Sequence, residues 1–253
     1  MQFKAEQHRT RSPWKSASLK AAKALALAAA VAVPVKASAC GQSIALINSA
    51  VTQKGNTSVP FPDFSFNAQP GIVNPLLVVH LDLGSGGTPP ASVLYGNQPM
   101  TKLLQNPDAN AGTQQVWYLA SPLAGPHALR VDTSGNNVPY NVEAALFGGV
   151  NQSTPIGAVA QDINTSYSTN YVTHLNTQHP VGLIVDFVSY GTGDAPAVTL
   201  GGGQFQAFTF NASPASTVSS ELQFGHAGGY QQSYTFQWAD AYSSQTIELV
   251  ACP

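Results

Sequence analysis

Apolar and polar residues alternate one by one along much of the chain beyond residue 40, and this period of two constrains the fold more than any other feature. Leucine or valine fills every odd position from 77 to 83, with His80 and Asp82 between them. Successive side chains of a β-strand point to opposite faces, so the pattern predicts half-buried strands. We expect the odd positions in a core, His80 and Asp82 on a polar outer face, and Trp117 and Trp238 in other core-facing strands.

Helical periodicity is hard to find after residue 40, and the whole chain contains 18 prolines and 22 glycines, which would break most helices. Clusters of glycine, asparagine and proline separate ten or more short alternating segments. This arrangement predicts an all-β fold, namely a two-sheet antiparallel β-sandwich of jelly-roll type, with a barrel as the alternative. We further expect the first and last strands, near residues 42–51 and 245–252, to pair as neighbours.

The 214 residues from Cys40 to Pro253 are enough for a single β-sandwich domain. Within them, the segment LVVHLD at 77–82 and its glycine-rich turn resemble LIVDF at 183–187 and the turn after it. The offset is about 105 residues. It indicates either an internal duplication, near 75–150 and 180–252, or an accidental similarity between two strands.

The N-terminus has the pattern of a secretory signal peptide. Basic residues crowd the first 23 positions, the apolar run 24–33 follows, and the small residues Ala37 and Ala39 precede a predicted cleavage position after residue 39. The run is about half the length of a membrane-spanning helix, and no longer one follows. We therefore expect residues 1–39 to be removed and the protein to be secreted or held at the cell surface, without a transmembrane helix.

Removal of the signal leaves a strongly acidic chain. Lys54, Lys102 and Arg130 are its three basic residues against eleven acidic ones, a formal net charge of −8. Nucleic acid is then a poor partner, because its phosphates require clustered lysine and arginine. An anionic membrane surface is disfavoured for the same reason.

Cys40 and Cys252, the two cysteines, lie at the ends of the predicted mature chain. In an oxidising compartment a single pair predicts a disulfide. Closing a loop of about 210 residues contributes on the order of 5 kcal/mol as an upper figure. The alternative is a lipid anchor on Cys40, although Ala37 stands where a lipoprotein signal normally has leucine.

Four segments in order carry a resemblance to a known module. They are LLVV at 76–79, VLYGNQPMT at 93–101, VWYLASP at 116–122 and FGGVNQSTPI at 147–156. The sequence resembles a non-catalytic, jelly-roll-like β-sandwich module of bacterial secreted and surface proteins and phage tail proteins, over most of residues 42–250. The resemblance implies a fold and an extracellular setting but no active site.

Catalytic motifs are absent from the sequence. No Gly-x-Ser-x-Gly pentapeptide is present, and side chains two apart on a strand, such as His80 and Asp82, make a poor catalytic pair. The mature histidines lack the spacing of a zinc site. A glycoside hydrolase would need two facing carboxylates, and the strand carboxylates are predicted to line a solvated face instead. The candidates for that alternative are Glu143, Asp186, Glu221 and Glu248.

Two further kinds of site have candidates. Asp108 with Asn110, and separately Asp194, lie in oxygen-rich turns of the sort that hold calcium, although no set of six oxygens can be assembled. We therefore predict no cofactor and no confident metal site. Tyrosines near turns are candidate stacking platforms for sugars. These are Tyr167, Tyr171, Tyr230 and Tyr242.

The leading functional hypothesis is a secreted or cell-surface structural or adhesive protein that is not an enzyme. Its partners would be other copies of itself or surface polymers, since exposed edge strands can pair with another chain. A carbohydrate-binding module is the alternative, and a secreted glycoside hydrolase is the second alternative.

Overall fold

The computed structural model describes residues 43–54, 64–107, 109, 112–132, 140–190, 197–210 and 216–253. Within these ranges the chain forms fifteen β-strands and no helix. None of the described residues therefore belongs to a helix that is long and apolar enough to cross a bilayer. The predicted all-β class is confirmed.

The strands form three antiparallel sheets, none of which closes into a barrel, so the predicted number of two sheets is wrong. The first sheet has the order β1-β9-β3-β7-β6, the second β2-β8-β4-β5, and the third β10-β15-β11-β14-β13 with β12 paired to β15. The strands are β1 (Ala45–Lys54), β2 (Phe64–Ala68), β3 (Leu76–Leu83), β4 (Val93–Tyr95), β5 (Gln98–Pro99), β6 (Thr101–Pro107), β7 (Thr113–Ala120), β8 (Gly125–Val131), β9 (Tyr140–Gly148), β10 (Ile156–Thr177), β11 (Gly182–Tyr190), β12 (Val198–Leu200), β13 (Gln204–Phe210), β14 (Ser216–Phe224) and β15 (Gly228–Val250).

The first sheet is covered on both faces. One face packs on the second sheet through a core that includes Leu77, Val79 and Trp117, as the alternation predicted. The other face packs on the third sheet through a core that includes Val78 and Phe187. Every residue of β3 and β9 is consequently buried. The prediction of a polar outer face at His80 and Asp82 is wrong, because the third sheet covers it.

The third sheet folds over on itself at its two longest strands. The beginning of β10 pairs with the end of β15, and residues 170–177 of β10 pair with residues 228–235. Tyr234 pairs with Tyr171, yet its hydroxyl reaches Asp186 on β11, whose own partner on β15 is Thr246. The outer parts of β10 and β15, together with β12, therefore lie face to face with β11 and the end of β15.

The two halves of the chain repeat one pairing scheme. In residues 45–148, β9 lies between β1 and β3, β3 pairs β7, and β7 pairs β6; β8 pairs β2 and β4. In residues 156–250, the end of β15 lies between β10 and β11, β11 pairs β14, and β14 pairs β13. The beginning of β15 pairs the second part of β10 and β12. Each half is thus a sandwich, and the bent strands β10 and β15 each serve in both layers of the second.

The first and last described strands do not pair with each other. β1 pairs with β9, whereas β15 pairs with β10, β11 and β12, so the predicted pairing of the first and last strands is wrong. The halves pack with the imidazole of His80 stacked on the ring of Phe187, with centroids 4.7 Å apart and planes 8° from parallel. Gln114 and Ser243 form a hydrogen bond of 3.0 Å across the same contact.

Candidate functional site

Asp186 occupies the middle of the second sandwich and is fully buried. Its Oδ2 accepts hydrogen bonds from the hydroxyls of Thr173 (2.6 Å) and Tyr234 (2.8 Å), and its Oδ1 accepts one from Thr246 (2.8 Å). Burial raises the pKa of Asp186 from 3.8 to about 6, and the three donors only partly offset this effect. The carboxylate joins strands of both layers of the sandwich.

A chain of hydroxyls and amides extends this network. The Ser220 hydroxyl lies 2.7 Å from the Tyr234 hydroxyl and accepts a hydrogen bond from Gln232 Nε2 at 2.8 Å. The Tyr171 hydroxyl donates to Ser244 at 3.1 Å. Burial raises the pKa values of both Tyr171 and Tyr234. These groups stay neutral near pH 7 and bind one another inside the protein.

Glu248 forms a second buried anchor. Its carboxylate accepts hydrogen bonds from the backbone N–H groups of Ala158 (2.7 Å), Gln178 (2.9 Å) and His179 (2.9 Å), and lies 3.1 Å from His179 Nδ1. Burial alone would raise the pKa of Glu248, but these donors lower it below its usual value. A side chain at Gly157 would collide with this carboxylate. Glu248 therefore fixes the β10–β11 connection to the last strand.

The contact between the two halves holds another buried pair. His80 Nδ1 lies 2.9 Å from Glu143 Oε2, and both side chains are buried. Glu143, Asp186 and Glu248 do not decorate a solvated face, so that expectation is wrong for all three. Burial on both faces of a sheet hides them, and period-two alternation cannot distinguish such a sheet from one with a wet side.

The described residues contain no group of three or more histidine, cysteine, aspartate or glutamate side chains placed to hold a metal ion. Of the predicted calcium positions, Asp108, Asn110 and Asp194 lie outside the described residues, as does Cys40. Calcium binding at these turns and the bond to Cys40 therefore stay predictions.

The four tyrosines predicted as stacking platforms all lie on strands, and they differ in exposure. Tyr171 and Tyr242 are buried, so their predicted exposure is wrong; both pack in the aromatic cluster of the second sandwich. Tyr167 is 74% exposed. Tyr230 is half-buried, and it lines a shallow polar cavity of about 480 Å³ with His174, Asn176, Gly229 and Gln231.

Trp238 is an aromatic surface residue, so the prediction from alternation that it lies in the core is wrong. It is 46% exposed, whereas Tyr234 and Phe236 just before it are buried. The register of β10 with β15 shifts between Ser168 and Asn170, so that residues 236–239 of β15 form a bulge. The bulge turns Trp238 outward, at the same corner of the fold that carries Tyr167. A glycine or proline would have marked such a corner in the sequence, but none is present there.

Exposed apolar side chains concentrate on β10. Eight large apolar residues of the described chain are exposed, and four of them lie on this strand: Val159, Ile163, Tyr167 and Val172. β10 is an edge strand of the third sheet, because among the described strands it pairs with β15 alone. Asp162 is its one acidic residue, and it contains no lysine, arginine or proline. Charged residues, lysine in particular, and proline are the residues with which natural edge strands usually avoid pairing with another chain.

Comparisons with known proteins do not identify the chain. No protein-family model, no curated protein sequence and no solved structure matches it.

Cys252 lies in a groove of about 520 Å³ at the end of the second sandwich, where Ser43, Val181 and Phe224 also line the wall. It is buried, and the described part of the chain contains no free cysteine. Ser43, the first described residue, follows Cys40 by three positions in the sequence.

Proposed function

We propose that this chain is an exported, non-catalytic structural or adhesive protein that acts from the cell surface or outside the cell by contacts of its own surface. Residues 1–39 serve as the export signal in this proposal, and residues 40–253 form the working protein.

The state of the carboxylates supports a non-catalytic function. A catalytic acid or base must come within hydrogen-bond reach of a substrate. Asp186 is engaged by three hydroxyls and Glu248 by three backbone amides, and both are closed off from solvent. Their hydrogen bonds hold strands together.

The observation that carries the proposal is the apolar edge strand β10. Soluble monomeric proteins rarely leave a long edge strand with exposed apolar residues and few charges. Val159 and Ile163 are 41% and 40% exposed on such a strand. An exposed edge of this kind is suited to binding a further strand.

Two finer assignments belong to the same proposal. A jelly roll in the first half is supported by the strand orders β1-β9-β3-β7 in one layer and β2-β8-β4-β5 in the other, and the second half repeats this pairing scheme. A disulfide between Cys40 and Cys252 is supported by the position of Ser43 in the same groove as Cys252. The intact mass of the exported protein before and after reduction measures the cleavage site, the disulfide and any lipid on Cys40.

The experiment that tests the function combines two readouts on the protein purified after export. Sedimentation velocity over a wide range of concentration measures self-association, and fluorescent labelling measures binding to the surface of the producing cells. We expect association with further copies, with the cell surface, or with both. A protein that is strictly monomeric at high concentration and binds no cells would contradict the proposal.

Carbohydrate binding is the second candidate, and one observation favours it. Tyr167 and Trp238 are exposed at the same corner, and flat aromatic rings are the usual stacking partners of sugars. We expect retention on a polysaccharide array that Trp238→Ala removes. Leu123→Ala should leave retention unchanged, since Leu123 is an equally exposed residue between β7 and β8. A wild-type protein retained by no polysaccharide would dispose of this candidate.

A further inference from the structure

The backbone of β10 directs hydrogen-bonding groups away from its sheet along one side, where no described strand pairs with it. Val250 N–H donates to Pro155 on the β10 side of β15, and Ala251 N–H donates to Val181 on the β11 side. Backbone groups alternate in direction along an antiparallel strand, so the N–H and C=O groups of Thr246 and Ser244, like those of Val250, point toward β10. The backbone groups of their partners Ala160 and Asp162 point back toward β15. The residues between, Val159, Gln161 and Ile163, therefore direct their N–H and C=O groups away from the sheet.

One of these outward groups has an acceptor within the strand. The N–H of Ile163 donates to the carboxylate of Asp162 at 2.8 Å. A carboxylate on the outward N–H of an edge strand occupies the place that a carbonyl of an added strand would take. Asp162 is therefore placed to compete with strand addition at Ile163.

The side chains of this segment are self-complementary in one register. In an antiparallel pair centred on Gln161, residue 159 of one chain lies opposite residue 163 of the other, and residue 160 lies opposite residue 162. Val159 of each copy then lies opposite Ile163 of the other copy. Asp162 meets Ala160, so the two carboxylates do not face each other, and apolar pairs of this kind stabilise antiparallel strands.

We propose that this protein forms a twofold-symmetric dimer by antiparallel pairing of the outer edge of β10 around Gln161, and that Asp162 weakens the pairing. Residues 159, 161 and 163 exchange backbone hydrogen bonds with residues 163, 161 and 159 of the second copy. This inference rests on the proposed function, because it names the partner and the surface through which the protein associates.

The other edge strands of the first and third sheets, β1, β6 and β13, are less suited to this pairing. β1 ends in Lys54, and β6 carries Lys102 and Pro107. β13 has an exposed apolar residue, Phe205, but its register with β14 shifts directly after it, between Gln206 and Phe208, whereas β10 pairs regularly with β15 from Val159 to Asn164. Phe205 therefore provides a matched control for Ile163, since both are exposed apolar residues on edge strands of the same sheet.

Sedimentation velocity of the exported protein and its variants tests the dimer. Ile163→Lys places a charge opposite Val159 of the second copy, and we expect the dissociation constant to rise about tenfold or more, since an added strand buries this side chain. Phe205→Lys should leave it unchanged. Asp162→Ala removes the competing carboxylate and should lower it several-fold.

A charge exchange tests the register. Val159→Lys alone and Ile163→Glu alone should each weaken the dimer, whereas the chain with both substitutions should regain most of the affinity. The two positions are about 13 Å apart along one strand, so the rescue requires the introduced lysine of one chain to lie opposite the introduced glutamate of the other. Circular dichroism of each variant establishes that it is folded.

Each outcome decides a separate question. If the wild type associates but Ile163→Lys associates equally well, or if Phe205→Lys alone disrupts association, the β10 interface is wrong and the proposed function stands. Growth into fibres in place of a dimer, or failure of the double variant to recover, overturns the twofold register. A wild type that never associates overturns this inference, and the function falls with it only if cell binding is absent too.

Discussion

The first half of the chain, residues 45–148, fills the space between its two layers mainly with apolar side chains, whereas the second half, residues 156–250, places a network of polar groups between its aromatic and aliphatic clusters. The inner face of β3 carries Leu77, Val79, Leu81 and Leu83. The inner face of β11 carries Asp186 in the corresponding central region, with Thr246 and Ser244 on the neighbouring strand. The strand pairing is nevertheless the same in both halves.

The comparison indicates that this strand pairing does not require an entirely apolar core. A buried polar group is costly when it lacks partners, and it is tolerated when every hydrogen bond is made. Asp186 meets this condition with three hydroxyl donors. Val79 has Trp117 and Ala144 as cross-strand partners, and the indole N–H of Trp117 already donates to Gln115. The two cores should therefore respond very differently to similar substitutions.

The largest effect is expected for Val79→Asp. This change puts a carboxylate into the core of the first half, where the indole N–H of its cross-strand partner Trp117 is already bonded to Gln115, and should lower the free energy of unfolding by about 4–5 kcal/mol. Urea denaturation followed by tryptophan fluorescence measures the change. Val79→Ala, which leaves only a cavity, is the control and should cost less; equal losses would contradict the comparison.

Loss of the proposed disulfide should rank second. Cys252→Ser opens the predicted link between the beginning of the first half and the end of the second, and should lower the free energy of unfolding by about 3 kcal/mol. The cross-link acts largely on the unfolded chain, so both cores should keep their structure. Thermal unfolding with and without reductant measures the effect. A wild-type melting temperature that does not change when reductant is added would contradict the disulfide.

Replacement of the buried carboxylate should have a smaller effect. Asp186→Val leaves the hydroxyls of Thr173, Tyr234 and Thr246 without their acceptor and should cost about 2–3 kcal/mol. In a Thr246→Val background one of these hydroxyls is absent, so Asp186→Val should cost less there than in the wild type. A double-mutant cycle in urea measures this coupling. Strict additivity would show that Thr246 and Asp186 do not stabilise each other.

The smallest predicted effect concerns pH. Asp186 has a folded-state pKa of about 6 against 3.8 in the unfolded chain, so the folded state binds the proton more tightly and stability falls as pH rises between these values. Glu221, whose pKa burial raises to about 7, acts in the same direction. Glu248, whose pKa is lowered, acts oppositely and only in more acidic solution.

The corresponding measurement compares the wild type with Asp186→Asn from pH 4.5 to 7.5. The wild type should lose about 2 kcal/mol more stability across this range than the variant does. Identical pH profiles would show that Asp186 does not titrate between these limits and that its burial in the second core is misjudged.

Much of the fold follows from period-two alternation, and the failures have one physical origin. Leu77, Val79, Leu129 and Val131 face one core, as predicted, because alternation reports which residues share a face. Alternation does not report whether the opposite face is wet. The pattern predicts His80, Asp82 and Glu143 at the surface because the packing of one half on the other has no signature within a single strand. Glu248 lies on the opposite face of β15 from this contact and is covered by the β10–β11 connection to which it bonds.

The candidate site was harder to predict. Trp238 continues the alternation of Tyr234 and Phe236, and a bulge that the sequence does not mark turns it outward. Tyr171 and Tyr242 were judged by nearby turns, yet both lie within long strands that bend. The outer edge of β10 could have been suspected from the scarcity of charge over residues 156–177, but edge position is a property of the sheet and not of the strand.

Residue-resolved hydrogen exchange at low and high protein concentration tests the central claim, association through β10, most directly. Pairing around Gln161 predicts that the amides of residues 159, 161 and 163 gain protection as concentration rises. The amides of 160 and 162, which already face β15, should not change, and Phe205 on β13 serves as a distant reference. Protection at 159, 161 and 163 that stays the same at every concentration, or a gain that appears on β13 instead, would contradict the account.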